Sequence, residues 1–302
     1  MRHAVSLATG FLLALPIAAG PAFAAFSQDS DPPTAGAQAI QRLHSADLSF
    51  GVYALGSKGV EFSVSAERKA GRLEMATAMR TAGMLDWAMS FTMQGQVEAR
   101  FEDGTLRPVR YDIQSDGSWS KRMTRMRWGD DGLPVAEVSP PNTEDDRDEV
   151  PDHLKLGTVD PTTAIFARAL REGAEPPCTG SDAVYDGRRR YNLHYAPIGP
   201  DMVEPHNRTA YSGPAFKCVI RSEPIAGYDR KYLASWSEKD QQPTYIWLVQ
   251  PPGFSVWLPV QMEGGFRLGS ARGWISRAKL NGRDWLAPLG FIRAEMPQLP
   301  PP

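Results

Sequence analysis

The chain has 302 residues, a formal net charge of −2 and only two cysteines. That charge balance argues against nucleic acid as a partner, because neutralising its phosphates wants a strongly basic face. The length suffices for a large core, arranged as one big β domain or two smaller ones.

Residues 1–24 read as a cleavable signal peptide. Arg2 and His3 precede an apolar stretch from Leu7 to Ala19, and Ala22-Phe23-Ala24 supplies a small-x-small cleavage site after Ala24. The stretch is shorter than the ~20 apolar residues that span a bilayer, and no later segment is apolar enough to do so. The expected destination is the periplasm, as a soluble protein with no integral membrane segment. Residues 25–45 are small and polar and predict a disordered leader.

From Leu48 the pattern alternates. Val60, Phe62 and Val64 share one face, and Leu73, Met75, Thr77 and Met79 repeat the period in a second run, with a Glu67–Gly71 turn between them. A period of two predicts half-buried antiparallel strands joined as a hairpin. Residues 84–93 lose the alternation and predict a short helix apolar on most sides. Strands resume over 97–101, 111–113 and 119–128, before an acidic, proline-bounded loop over 140–151. Asp160 as cap, Pro161 at the first helical position and Gly173 at the end predict a second helix, with Ile165, Phe166, Ala169 and Leu170 as its apolar stripe. Further strands follow to about 276, and a proline-rich tail covers 287–302. The pattern predicts a single antiparallel β domain over 46–286, with a few short helices packed on one face.

In an oxidising compartment Cys178 and Cys218 predict a disulfide. It would close a loop of about 41 residues and stabilise by roughly 4 kcal/mol on the chain-entropy argument.

Candidate ligand residues fall in two groups. Met75, Met79, Met84, Met89 and Met93, with Trp87 and Phe91 among them, form a methionine-rich cluster. Flexible thioethers adapt to ligands of varied shape, so the cluster predicts a deformable apolar wall, weighed against an ordinary methionine-filled core. Arg122, Arg125 and Arg127 on one strand, and Arg188, Arg189 and Arg190 after an Asp-Gly turn, offer guanidinium forks for an anionic head, weighed against a solvated strand edge. The acidic loop lacks the spacing of a calcium site, and no metal or cofactor is expected. Gly-x-Ser-x-Gly, His-Glu-x-x-His, Ser-x-x-Lys and phosphate-loop patterns do not occur, and His44, His153, His194 and His206 are scattered.

An ordered series runs through Val150-Pro151, Val159-Asp160-Pro161-Thr162-Thr163-Ala164, Cys178, Val184-Tyr185-Asp186-Gly187-Arg188-Arg189-Arg190-Tyr191-Asn192-Leu193, Cys218 and Ile225-Ala226-Gly227. This series resembles an exported bacterial family catalogued as domain of unknown function thirty-one-oh-eight, in its alphaproteobacterial form. The likeness covers most of 48–282 and departs from the family at Thr162-Thr163, where Leu-Ser is expected, and in a longer segment around 197–208. The resemblance implies a strongly curved antiparallel sheet, a half-barrel with helices in or against its concave face, similar to periplasmic lipoprotein carriers. It brings no catalytic residues. The expectation is therefore a non-enzymatic periplasmic protein that holds a lipid or acyl-chain ligand. The alternatives are a structural or partner-binding envelope protein with a solid core, or a glycan-active envelope enzyme.

Overall fold

Alternating side chains and tight turns build a single large antiparallel sheet. The computed structural model describes residues 41–286, apart from 119, 142–146, 171–175, 230–232, 234–235, 237–241 and 267–268. The signal peptide, most of the leader, Trp119 and the proline-rich tail lie outside the described residues. The first half of the chain forms β1 (Ser45–Ala54), β2 (Ser57–Lys69), β3 (Arg72–Thr81), α1 (Gly83–Ala88), β4 (Phe91–Glu102), β5 (Thr105–Gly117), β6 (Ser120–Trp128) and β7 (Pro134–Ser139). Then come α2 (Asp152–Lys155), α3 (Pro161–Ala169), β8 (Gly180–Tyr185), β9 (Arg190–Val203), β10 (Gly213–Ala226), β11 (Thr244–Val249), β12 (Leu258–Phe266), β13 (Gly269–Leu280) and the short β14 (Arg283–Asp284).

The strand order is β7-β6-β5-β4-β3-β2-β1-β13-β12-β11-β10-β9-β8, with β14 on β13. Two meanders therefore meet where β1 pairs with β13. Four of the hairpins turn through two residues with positive φ: Leu55-Gly56, Ala70-Gly71, Asp103-Gly104 and Asn281-Gly282. That is the turn whose twist matches the flanking strands. The sheet curves like a half-barrel and does not close by hydrogen bonds. Its two ends nevertheless approach. Gly187, at φ 91°, sits in the β8–β9 turn so close to β6 that a Cβ there would lie 2.4 Å from Thr124 Cγ2. Arg188 Nη2 donates to Pro140 O, just past β7, at 2.7 Å.

The face that packs α3 is the inner face. Phe166 of α3 and Leu170 at its C-cap touch both main core clusters. Asp160 caps the helix as its sequence predicts, its Oδ1 accepting from the N–H groups of Thr162 and Thr163 at 2.9 Å each. Arg168 at the far end grips Asp182 through Nε and Nη2, both at 2.9 Å, and lies over the Tyr195 ring. Cys178 and Cys218 are bonded, with Cα atoms 5.8 Å apart.

Two expectations need correction. The helix predicted over 84–93 is only Gly83–Ala88, because Phe91 and Met93 already belong to β4. Its N-cap is Ala82, no side chain caps it and none of its residues is buried, so nothing extends it past its second turn. The leader predicted to be disordered over 25–45 is ordered from Gln41. Gln41 bridges to Phe254, Leu43 is buried, and the N–H groups of His44 and Ser45 both donate to Asn281 Oδ1.

Candidate functional site

Strand register decides which predicted residues meet. On the inner face Ala66, Met75, Val97, Tyr111 and Met126 stand opposite one another across β2–β6. All five are buried. Four residues further along every strand, about 13 Å away at the usual rise, lies a second row. It reads Phe62–Met79–Met93–Ser115–Arg122. The parity is the same and no register shift intervenes, so these side chains share the inner face with the core row. Phe62, Met79, Met93 and Ser115 are only half-buried, and Arg122 is exposed. With adjacent strands about 4.8 Å apart, the row extends roughly 19 Å from Phe62 to Arg122. It is apolar at one end and cationic at the other.

Arg122 opens into a cleft of about 230 Å³ at the seam where the sheet's ends approach. Arg147, Arg188 and Arg189 also line this cleft, with Tyr111 and Ser115 on its floor and Asp186 as its one carboxylate. Asp186 is already occupied. Its Oδ1 accepts from the N–H groups of Arg188 at 3.0 Å and Arg189 at 2.7 Å, and its Oδ2 accepts from Arg189 Nε at 2.9 Å. Among the described residues Arg122 has no carboxylate partner. Arg122 therefore brings a guanidinium with no described carboxylate partner into a space the size of a small anionic group. Burial, reinforced by the Asp160 and Asp186 carboxylates, pushes the Tyr111 hydroxyl well above its usual range, so it stays neutral and able to donate.

The remaining candidates do not join this site. Arg125 and Arg127 point to the outer face, where Arg127 meets Asp112 at 2.5 Å and Arg125 faces Glu137 at 3.6 Å. Arg190 is tied to Leu154 O and Asn192 Oδ1. Met75 is buried in the core row. Met84 and Trp87 project from α1 with 76% and 92% exposure, away from any wall. Met89 follows α1 half-buried, and its N–H donates to Leu85 O. Phe91, also half-buried, opens β4 with its N–H on Thr81 Oγ1. The seven-residue cluster is thus three separate surfaces. Beside α3 the apolar cavities measure only about 20 and 40 Å³, far below the ~300 Å³ of a small-molecule site. The roomier spaces are the 230 Å³ cleft at the Arg122 end of the second row and a groove of about 540 Å³ over β4–β6 that Arg125 and Arg127 line with Asp112 and Glu137.

Residues that sequence reasoning missed are Tyr111, Ser115, Arg147 and Asp186. Arg147 was legible as a lone cation in the acidic loop, and its strand-like bridge to Asp229 brings it over the seam. The segment around 197–208, read from the resemblance as an insertion, lengthens β9 to Val203 and then crosses the outer face. There Trp247 Nε1 donates to Asp201 Oδ2 at 2.9 Å, and His206 meets the Trp274 ring edge-on at 4.5 Å. Both tryptophans are buried.

A family model described as "Protein of unknown function (DUF3108)" matches residues 47–273. No curated protein matches the chain. Among solved structures it is similar to the crystal structure of a beta-barrel-like protein of domain of unknown function DUF1849 from Brucella abortus. The two share 12% identity with a TM-score of 0.45, over 80% of this chain and 99% of that one.

Proposed function

The chain belongs to the DUF3108 family of proteins of unknown function, and we propose that it is a periplasmic binding protein for an amphipathic envelope molecule with an anionic head. The observation that carries this reading is the inner-face row ending in Arg122 inside the arginine cleft. Phe62, Met79 and Met93 would line the ligand's hydrocarbon, each buried methylene contributing about 0.8 kcal/mol. Arg122, Arg188 and Arg189 would meet a phosphate or carboxylate by charge-assisted hydrogen bonds. Binding without catalysis is favoured by the cleft's chemistry. Its titratable members are mainly arginines, which hold their protons, and its carboxylate is engaged by two N–H groups and a guanidinium. The periplasmic location rests on the leader and on the Cys178–Cys218 bond, a linkage that persists in oxidising compartments.

The test is native mass spectrometry of protein purified from its own envelope, followed by displacement of a fluorescent fatty acid. Co-purifying lipid, released by the probe and lost in Arg122→Ala, is the expected result. A clean apo mass with no probe binding overturns the proposal.

A further inference from the structure

The open end of the inner face carries an exposed apolar rim. Leu55 in the β1–β2 turn is 78% exposed, and Met84 and Trp87 of α1 are 76% and 92% exposed. They belong to one end of the sheet. The turn and the helix are neighbours, since a Cβ added at Gly59 of β2 would lie 3.3 Å from Leu85 Cδ2 and one added at Gly83 would lie 2.8 Å from Lys58 O. This is the end toward which the Phe62–Arg122 row lies, opposite the end plugged by α3. Leu55 is held at φ 49°, a left-handed conformation that costs a leucine energy and that glycine or asparagine would adopt readily. An apolar side chain kept there, projecting into solvent, implies a role outside the fold's own stability.

The charge around the rim is positive. Lys58 and Arg80 both bond Glu61, at 3.0 and 2.7 Å. Arg208 donates to Gly56 O at 2.8 Å and lies over the Tyr53 ring, with no carboxylate partner among the described residues. Arg122 is likewise without one, while Lys121 is paired with Asp116. Asp86, which accepts from Thr81 Oγ1, is the opposing charge. The surplus is cationic in a chain whose formal net charge is −2.

We propose that Leu55, Met84 and Trp87 dock this rim onto an anionic membrane surface, presenting the open row to the bilayer. The inference rests on the binding function above. Tryptophan favours the water–lipid interface, where its ring lies among the headgroups, and nearby cations meet anionic lipid within a Debye length. A second copy of the chain fits less well, because a two-fold contact would set the same cationic surplus against itself.

The experiment uses the full mature chain and vesicles of phosphatidylcholine with or without one-third phosphatidylglycerol, sedimented at low and at high salt. Co-sedimentation with the anionic vesicles alone is expected, weakened by salt and by roughly tenfold in Trp87→Ala/Met84→Ala. In brominated vesicles the wild-type tryptophan emission is quenched more than that of Trp87→Phe. Fatty-acid probe binding, measured without vesicles, stays intact in both variants because these residues lie outside the row. Equal sedimentation of wild type and double variant, or none of either, overturns the docking inference, as does a dimer lost in the variants with no vesicle binding. Probe binding intact without sedimentation sinks only the docking, whereas sedimentation without probe binding sinks the ligand reading.

Discussion

Asp160 offers a sharp test of the electrostatics behind the cleft. It caps α3, is fully buried, and burial raises its carboxyl to about 6 from an ordinary 3.8 despite the N–H donors of Thr162 and Thr163. A raised acid binds its proton more tightly folded than unfolded, so stability falls as pH rises through the interval between the two values. Below 3.8 both states are protonated and the shift contributes nothing. Above 6 both are ionised, and the folded state is disfavoured by about 3 kcal/mol. Asp160→Asn keeps an acceptor for both N–H groups, and asparagine caps helices as well as aspartate. The variant should therefore gain on the wild type by more than 2 kcal/mol between about pH 4 and pH 7.5, a rise of several degrees in relative Tm for a domain of this size. Paired urea and thermal unfolding curves at both pH values measure that difference. Other titrating groups cancel between the two proteins, so a difference flat with pH, or one growing in the opposite direction, refutes the reasoning.

Three further outcomes follow from the geometry. Arg122→Ala should leave stability within about 0.5 kcal/mol, since the side chain is exposed and has no carboxylate partner among the described residues, yet weaken binding of an alkyl phosphate by about tenfold or more in calorimetry. Gly95→Ala would set a Cβ 2.2 Å from Ile113 Cδ1 and 2.6 Å from Thr77 Oγ1. Its expected cost is about 1–3 kcal/mol in urea unfolding, and an unchanged midpoint would show that the inner face yields freely around an added methyl. Replacing Cys178 and Cys218 by serine should lower stability by roughly 4 kcal/mol if chain entropy dominates, read from the same curves at unchanged slope.

The parts of the fold written in local pattern were legible. Alternation fixed the hairpins, Asp160-Pro161 fixed the start of α3, and the lone cysteine pair fixed its own bond. The join of β1 to β13 was not, because partners such as Leu48 and Ala278 lie far apart along the chain and nothing local to either names the other. The site was half legible for a related reason. Arg122 is an even position and Arg125 and Arg127 are odd ones, so the strand period already separates them onto opposite faces. The period likewise groups Met75, Met79 and Met93 and says nothing of Met84 and Trp87, which fall in a connector. Residues 84–93 straddle the junction of α1 and β4, where apolar composition is continuous and only the return of the two-residue period at Phe91 and Met93 marks the strand.

Register also explains how so scattered a set of residues becomes one surface. Met93 and Arg122 face the same way because β4, β5 and β6 pair without a shift between Met93–Ser115 and Ser115–Arg122. The single irregularity between β4 and β5, at Glu98/Ala99, lies on the far side of the buried row. A one-residue slip of β5 and β6 against β4 would turn Gln114 inward in place of Ser115 and turn Tyr111 and Met126 outward, breaking the apolar-to-cationic row at its middle. The buried row of Met75, Val97, Tyr111 and Met126 opposes that slip, since the same move would expose Tyr111 and Met126. The core therefore holds the candidate site in register, and the open end of the sheet is free to face a ligand.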